Sequence, residues 1–448
     1  MLRRISAALV SILMLTSANA LAAPVDPPTV SAGLDPGQSI TVTKTVHTPV
    51  IPPRPDILFL ADTTGSMGGA LSNVRTNAGS IMSAVRLAQP DSDFGAAEYK
   101  DFNCGLDPFA YRLDQAITAS TADAQTGINM WATVPGSGCD TPEAQLNALF
   151  VLATASATGF RSSSTRIVAW FGDSSGHDPS GGHSLAATIA ALKAANIRVI
   201  AVPVDTAPDG DGLDSTGQAT AITSATGGVL LPAATPSQVA NAILTGLKNL
   251  PVTVTHTATC DPGLSVSFNL ASLTVTSGTD AVFQETISVA SNAQQGATLN
   301  CTVNFLLNGL VTTGFTESVH IAVHDVTAPT AACDPTTNPS GKNVPKAGEN
   351  PKSGQNPDGF YVLGATDNVD PNAKIFVADS GSSFVAGPYP SGTTIKLVQA
   401  PGATPNVKPG TGAIDFKITL NGDAIVTAVD ASGNVSAAAT CNVPPPPK

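Results

Sequence analysis

The chain has 448 residues, with 21 basic and 33 acidic side chains and a formal net charge of −12. It has no basic stripe to neutralise phosphates, which argues against nucleic-acid binding, and its 42% hydrophobic content is too high for a wholly disordered protein. The 40 Gly and 35 Pro follow no G-x-y period, which excludes collagen, and the 12% charged residues indicate β-rich secreted modules.

The N-terminus has the pattern of a secretory signal. Two arginines precede a short apolar stretch, and small residues follow at Ala20–Ala22, where we expect cleavage. The apolar stretch is too short to span a bilayer, and no later run is long enough either. We therefore expect residues 1–22 to be removed, residues 23–54 to form an extended lead-in, and the protein to be extracellular or periplasmic.

Buried strands and amphipathic helices alternate between Pro55 and Leu250. Continuous apolar runs are typical of parallel strands covered on both faces, and apolar residues at helical spacing mark the helices. This alternation predicts an α/β, doubly wound domain over 55–250. The predicted elements in chain order are strand 56–61, helix 71–87, strand 94–99, strand 128–134, helix 142–157, strand 166–171, helix 184–195, strand 198–204, helix 215–225, strand 228–231 and helix 237–250.

Helical patterns stop at Pro251. Short Val- and Thr-rich segments separated by turn residues follow, which predicts two all-β immunoglobulin-like sandwiches, over 251–325 and 326–443. A Pro- and Gly-rich flexible loop is expected at 336–359, and the chain closes with a polyproline tail at 444–448. The predicted strands are 252–256, 265–269, 273–276, 281–290, 298–307, 317–323, 360–366, 374–378, 394–398, 414–420 and 424–430.

The six cysteines fit an oxidising compartment. Several pairings are combinatorially open, but the positions group into three pairs that each fall within one predicted domain. A zinc site is the competing interpretation, and the absence of any C-x-x-C and of suitably spaced histidines makes it the weaker one. The expected disulfides are Cys104–Cys139, Cys260–Cys301 and Cys333–Cys441.

A metal-binding pattern follows the first apolar strand. The residues Asp62-Thr63-Thr64-Gly65-Ser66 form a D-x-T-x-S motif, and Asp173 follows strand 166–171 in the same way. In an open parallel sheet, ligands bind beyond the carboxyl ends of the strands, so these side chains are expected to converge there. Carboxylates and hydroxyls are hard ligands that suit Mg²⁺, Mn²⁺ or Ca²⁺ rather than zinc, and an external carboxylate can complete the shell.

These residues carry a resemblance to a known family. Residues 55–250 resemble a von Willebrand factor type A domain, whose metal-ion-dependent adhesion site has D-x-[ST]-x-S after its first strand. The loop Cys139-Asp140-Thr141-Pro142-Glu143 and the stretch from Trp170 to His177 look like the I-like domain of integrin β subunits and related bacterial proteins. The part after Pro251 resembles bacterial immunoglobulin-like modules of the hyalin-repeat type.

The resemblance implies a set of ligands. It assigns the metal to Asp62, Thr64, Ser66, Glu143 and Asp173. Asp140 and the carbonyl of Pro142 match part of a second metal site, whose Asn is replaced by Gly138. The acidic pair of the adjacent regulatory site is replaced by Gly68-Gly69-Ala70, so we expect that site to be absent or rebuilt.

Each of these residues also has a simpler interpretation. Asp62, Thr64 and Ser66 could cap the following helix, and Glu143 could be favoured in a first helical turn by the helix dipole alone. His177 is expected to lie beside the metal ligands rather than among them, because oxygen-rich sites seldom recruit imidazole. Lys100 and Asp101 are expected to form a solvated pair.

The sequence predicts a secreted, metal-dependent adhesion module and not an enzyme. Its divalent cation would bridge to an acidic residue of a protein partner. A structural extracellular or envelope protein without a working metal site is the alternative. A hydrolase is less well supported, because the chain has neither G-x-S-x-G nor H-E-x-x-H and no base is evident beside Ser66.

Overall fold

The computed structural model describes residues 23–102, 107–133, 142–206, 211–336 and 359–441. Within them an α/β domain is inserted between the strands of a first all-β domain, and a second all-β domain follows. Three strands precede the insertion: β1 (Val25–Asp26), β2 (Thr29–Leu34) and β3 (Ser39–His47).

The elements of the α/β domain are β4 (Pro55–Asp62), α1 (Gly68–Ala88), β5 (Asp93–Tyr99), β6 (Tyr111–Thr118), α2 (Thr121–Asn129), α3 (Gln145–Thr154), β7 (Thr165–Gly172), α4 (Leu185–Ala194), β8 (Ile197–Pro203), α5 (Gln218–Thr226), β9 (Val229–Leu230) and α6 (Val239–Lys248). Its strands form one six-stranded sheet in the order β6-β5-β4-β7-β8-β9. Every neighbouring pair is parallel except β5 and β6, which are antiparallel.

Strand β4 is buried along its whole length, because helices cover both faces of the sheet. Ile57 and Phe59 face the core that contains α1 and α6, whereas Leu58 and Leu60 face the core that contains α3 and α4. Adjacent strand residues point to opposite faces, so a strand covered on both sides must be apolar at every position. The α/β domain predicted from this pattern is confirmed.

The third strand of the sheet differs from the prediction. The segment expected to be strand 128–134 begins inside helix α2, where Ser120 caps the first turn by accepting a hydrogen bond from the Asp123 N–H at 3.1 Å. A short apolar run cannot distinguish a strand from a buried helix end. The third strand is instead β6, an edge strand that is only half-buried along its length and therefore has a weak apolar pattern.

The first all-β domain continues with β10 (Pro251–Cys260), β11 (Leu264–Phe268), β12 (Ser272–Thr276), β13 (Asp280–Val289), β14 (Thr298–Leu307) and β15 (Leu310–Val323). Its two sheets have the orders β1-β3-β13-β11 and β12-β10-β14-β15-β2 and share one hydrophobic core. The segment 23–54, expected to be an extended lead-in, thus supplies three strands. It was missed because its Pro- and Thr-rich composition hides the buried Val25, Val30, Leu34 and Val46.

The two connections to the α/β domain run side by side. On the incoming side the carbonyl of Pro49 accepts a hydrogen bond from the Gly278 N–H at 2.9 Å. On the outgoing side the carbonyl of Leu250 accepts one from the Ser277 N–H, also at 2.9 Å. Both connections are therefore held by the same turn between β12 and β13. This pair of connections is called the double junction below.

A buried charge cluster holds the N-terminal strand β3 in the first all-β domain. The Lys44 cluster consists of Lys44, Glu285 and Glu317, all with fully buried side chains. The Lys44 Nζ lies 2.5 Å from Glu317 Oε1 and 3.5 Å from Glu285 Oε2, and it donates to the Pro27 carbonyl at 2.7 Å. Burial, reinforced by the charge of Glu317, raises the pKa of Glu285 to about 8. One ammonium is thus shared by two acidic side chains in the core, and Glu285 retains its proton to higher pH than a solvated glutamate does.

The second all-β domain consists of the strands β16 (Thr330–Pro335), β17 (Gly359–Thr366), β18 (Lys374–Asp379), β19 (Val385–Tyr389), β20 (Thr394–Gln399), β21 (Asn406–Pro409), β22 (Phe416–Leu420), β23 (Ala424–Val429) and β24 (Ala439–Cys441). They form two sheets around one core, in the orders β16-β17-β20-β22-β21 and β19-β18-β23-β24. The short strands β16, β19, β21 and β24 were not predicted from the sequence.

Two of the three expected disulfides are confirmed. Cys260–Cys301 joins neighbouring strands of one sheet, whereas Cys333–Cys441 joins the two sheets of the second all-β domain. Several expectations lie outside the described residues, namely the secretory signal, the Cys104–Cys139 disulfide, Asp140, the bulk of the flexible loop and the polyproline tail.

Candidate metal centre

The sheet order places a crevice beside the predicted ligands. Asp62 ends β4, and Asp173 follows β7. Strand β4 lies between β5 and β7 in the sheet. The chain winds outward from β4 to one edge and from β7 to the other, so the strand order reverses between them. At such a switch point the loops diverge and leave a ligand crevice at the carboxyl ends of the strands.

The D-x-T-x-S loop folds around the Asp62 carboxylate. Asp62 is fully buried, and its Oδ1 accepts hydrogen bonds from the Thr64 N–H at 2.9 Å and the Thr64 Oγ1 at 2.7 Å. Its Oδ2 is buried without a partner. Ser66 lies in the 3₁₀ turn Gly65–Met67 and is exposed. The loop therefore presents one carboxylate oxygen and one accessible hydroxyl.

The helix-capping interpretation of this loop is not supported. The residue that caps α1 is Met67, and the one that caps the 3₁₀ turn is Thr64; neither makes a side-chain capping hydrogen bond. The oxygens of Asp62 and Thr64 bond to each other instead of to the first helical N–H groups.

Glu143 reaches the crevice from a second loop. Its N–H donates to the Ser175 carbonyl at 2.8 Å, and its own carbonyl accepts from the His177 N–H at 3.0 Å, so the two loops pair like short parallel strands. Helix α3 begins at Gln145, which leaves Glu143 outside the helix. The side chain is 4% exposed, and its Oε2 has no partner.

Asp173 completes a set of three buried carboxylates. It is 2% exposed, and its Oδ1 has no hydrogen-bond partner. Its Oδ2 accepts a hydrogen bond from the hydroxyl of Thr206, which lies in the loop after β8. Thr206 was not among the predicted residues, since a single threonine three residues beyond a strand carries no recognisable signal.

Among the described residues, no cationic side chain lies close enough to compensate the three carboxylates fully. Burial raises the pKa of Asp62 to about 7, with a further contribution from the charge of Asp173. Burial also raises the pKa of Glu143 to about 10, and the charge of Asp62 adds to the effect. Lys100 attracts Asp62 at longer range, but its Nζ donates to the carbonyls of Thr63 and Ala132. The crevice thus favours protons or an added cation.

The solvated pair expected at Lys100 and Asp101 is wrong, since their exposed fractions are only 2% and 4%. Lys100 packs under the D-x-T-x-S loop, and burial lowers its pKa. Asp101 lies 3.3 Å from His177 Nε2. His177 therefore contacts an acid next to the crevice, in agreement with its expected position beside the ligands.

A further acid supports the loop that carries Asp173. Asp211 Oδ2 accepts a hydrogen bond from the Ser175 N–H at 2.9 Å. Burial opposes the charge of Asp211, but the hydrogen bonds it accepts hold its pKa below the usual value. Asp211 therefore acts as an anchor for the loop.

The spacing of the acids limits how an ion could bind here. Asp62, Glu143 and Asp173 do not offer three carboxylate oxygens within 4.8 Å of one another; in the described part of the chain, only Asp325, Asp367 and Asp430 do. An ion in the crevice would use hydroxyls and water beside its carboxylates, which suits Mg²⁺ because it retains several waters. Pro142 lies next to Glu143, but its expected partner in a second metal site, Asp140, is not among the described residues.

No helix within the described ranges combines the length and the apolar character that crossing a bilayer requires.

No protein-family model and no curated protein matches this sequence. Among solved structures, the chain is similar to proximal thread matrix protein 1 from the mussel byssus, at 14% identity over 47% of each chain and a TM-score of 0.33. A structure of that protein with a zinc-occupied MIDAS motif gives 15% identity, the same shares and a TM-score of 0.34. A von Willebrand factor type A protein from Catenulispora acidiphila gives 12% identity over 67% of this chain and 72% of that chain, with a TM-score of 0.34. This chain thus spans about half the length of the mussel protein, and at these TM-scores the similarity transfers no property of these proteins to it.

Proposed function

We propose that the α/β domain is a von Willebrand A-type adhesion module that binds a divalent cation in the crevice between β4 and β7. The observation that carries this proposal is the set of three buried carboxylates, Asp62, Glu143 and Asp173, each with one oxygen that lacks a partner. Buried charges are stable only when they are paired or coordinate a metal. Thr64 and Ser66 complete the set with hydroxyl oxygens.

The ligand chemistry favours Mg²⁺, with Mn²⁺ or Ca²⁺ as substitutes. All the candidate ligands are hard oxygens, and neither Cys nor His is among them. Ser66 is exposed, so the ion would be accessible from solvent on that side. A partner protein would supply an aspartate or glutamate there and complete the coordination shell.

The rest of the chain is proposed to present this module outside the cell. Two disulfides fit an oxidising compartment. The two all-β domains are proposed to be immunoglobulin-like sandwiches that act as spacers or additional binding surfaces. The enzyme hypothesis has little support, because among the described residues Ser66 makes no hydrogen bond to a histidine that could act as its base.

Affinity capture tests the adhesion proposal. The immobilised chain is exposed to surface proteins in Mg²⁺ or in EDTA, alongside Asp62→Asn and, as a matched control, Asp123→Asn, which changes an exposed acid on α2. We expect a partner that is retained by the wild type and the control in Mg²⁺, and lost in EDTA or with Asp62→Asn. A partner that wild type retains in EDTA, and that Asp62→Asn retains in Mg²⁺, would rule out the metal bridge.

The alternative of a structural protein without a working metal site makes a different prediction. Such a protein would show no change in melting temperature with Mg²⁺, Mn²⁺ or Ca²⁺. Turnover of ester, peptide or phosphate substrates by the pure chain, abolished in Ser66→Ala, would instead revive the hydrolase.

A further inference from the structure

Three acids from separate loops meet at one end of the second all-β domain. Asp325 lies in the segment that joins the two all-β domains, Asp367 follows β17, and Asp430 follows β23. Each offers one carboxylate oxygen, and these oxygens all lie within 4.8 Å of one another. Ca²⁺ binds oxygen at about 2.3–2.6 Å, so two of its ligands lie at most about 5 Å apart. The three oxygens therefore fit around a single ion.

Local hydrogen bonds fix the orientation of each carboxylate. The Oδ1 of Asp367 accepts from the N–H groups of Val369 and Asp370, both at 2.8 Å. The Oδ1 of Asp325 accepts from the Thr327 N–H at 3.1 Å. The side chain of Asn434 donates to Asp430 Oδ2 at 2.9 Å and to the backbone carbonyl of Asp325 at 3.0 Å. The acids are thus held in place before any ion arrives.

Two buried carboxylate oxygens of this cluster are not satisfied by the protein alone, whereas both oxygens of Asp430 accept hydrogen bonds from Asn434. Asp325 is 8% exposed and Asp430 is 7% exposed. The Oδ2 atoms of Asp325 and Asp367 are buried and have no hydrogen-bond partner. In the part of the chain that the structure describes, no Lys, Arg or His lies within salt-bridge distance of any of the three. Asp325 thus has a buried carboxylate with one partnerless oxygen and two further acids whose oxygens lie within 4.8 Å, which is costly unless a cation is present.

We propose that Asp325, Asp367 and Asp430 form a calcium site, separate from the crevice of the α/β domain. All three ligands are carboxylates, which excludes the Cys and His chemistry of zinc sites. Ca²⁺ accepts six to eight oxygens in flexible geometry, whereas Mg²⁺ demands near-ideal octahedral geometry and keeps most of its waters. Three carboxylates gathered from three loops match the requirement of Ca²⁺.

The position of the site gives the ion a mechanical role. Gln295, from the first all-β domain, accepts hydrogen bonds from the Val326 N–H and the Thr327 hydroxyl, both at 2.9 Å. Gly296 packs so closely on Val369 that an added Cβ would lie 2.5 Å from Val369 Cγ1. An ion bound by Asp325 and Asp367 would fix the joining segment to the loop that Gly296 contacts. Ca²⁺ therefore stiffens the joint between the two all-β domains.

Calorimetric titration of the full, chelator-stripped chain with CaCl₂ tests this proposal. Asp367→Asn and Asp430→Asn each remove one charge and keep an acceptor oxygen, so the turns around them are preserved. Asp423→Asn is the matched control, because Asp423 is an exposed acid of the same domain. Asp62→Asn separates this site from the crevice.

We expect the wild type, Asp423→Asn and Asp62→Asn all to bind Ca²⁺ at the site between the two all-β domains. Asp367→Asn and Asp430→Asn should each bind one Ca²⁺ fewer than the wild type. Replacing CaCl₂ by MgCl₂ should weaken binding at the joint at least tenfold. The proposal is overturned if wild type and Asp367→Asn bind the same number of Ca²⁺ ions, including none. If Asp367→Asn does not fold by circular dichroism, Asp430→Asn decides by the same count.

Discussion

Replacing Asp62 by Asn should make the metal-free protein more stable and should abolish its stabilisation by Mg²⁺. The Asp62 carboxylate is fully buried, and its pKa rises from 3.8 to about 7. A carboxylate with a raised pKa destabilises the fold as the pH rises from its unfolded-state pKa to its folded-state pKa. The difference corresponds to about 4 kcal/mol above pH 7.

The substitution removes this cost but introduces a smaller one. An asparagine oxygen can still accept the two hydrogen bonds from Thr64. The amide nitrogen would occupy the place of the partnerless Oδ2, and an unsatisfied buried donor costs about 1–3 kcal/mol. The net gain is therefore about 1–3 kcal/mol at pH 8, or about 2–10 °C in melting temperature for a domain of this size.

Differential scanning calorimetry in EDTA at pH 8 and pH 4 measures this effect. At pH 4 the advantage of Asp62→Asn should disappear, because Asp62 is protonated in the folded wild type. In Mg²⁺ at 100 times its dissociation constant, the wild type should gain about 2.7 kcal/mol and the variant nothing. The reasoning is refuted if the variant melts below the wild type in EDTA at pH 8, or if Mg²⁺ stabilises both equally.

Three further predictions concern stability and metal affinity. Lys44→Met leaves the two acidic side chains of the Lys44 cluster buried without their cation. It should lower the free energy of unfolding in urea by about 3–5 kcal/mol at pH 8, and by less in acid, where both side chains are protonated. The control Lys374→Met, at an exposed lysine, should change the free energy of unfolding little. Thr206→Val removes the hydroxyl that orients Asp173 and should weaken Mg²⁺ binding about 10- to 100-fold by calorimetry; an unchanged affinity would show that this hydrogen bond does not matter. Ser120→Ala removes the cap of α2 and should cost about 1 kcal/mol in the same urea assay, and a loss within error would contradict the capping role.

The α/β core could be predicted from the sequence because its pattern is unambiguous. Strand β4 is apolar at every position, since both of its faces are covered. Edge strands have no such constraint. Strand β6 carries Arg112 and Asp114 and is half-buried throughout, so nothing in its composition distinguishes it from a loop. Strands β2 and β3 were missed for a further reason: the long strands with which they pair, β15 and β13, lie beyond the α/β domain, where local sequence cannot reveal them.

The candidate metal centre was predictable where one motif gathers several ligands. Asp62, Thr64 and Ser66 lie within five positions of each other and follow a recognisable strand. Thr206 and the three acids of the proposed calcium site could not be found this way. Asp325, Asp367 and Asp430 are scattered over a hundred residues, and each lies in a loop just after a strand, where an acid is expected anyway. Only the folded chain brings them together.

The double junction constrains the order in which this protein folds. Strands β2 and β3 must find β15 and β13 across an insertion of about 200 residues. Closing an unstructured loop of that length would cost about 5 kcal/mol in chain entropy. A folded α/β domain buries residues from both of its ends, Ile51 and Leu250, in one core, and so removes most of this cost. The first all-β domain is thus expected to assemble after the α/β domain, and a mutation that unfolds the inserted domain should release β1, β2 and β3 with it.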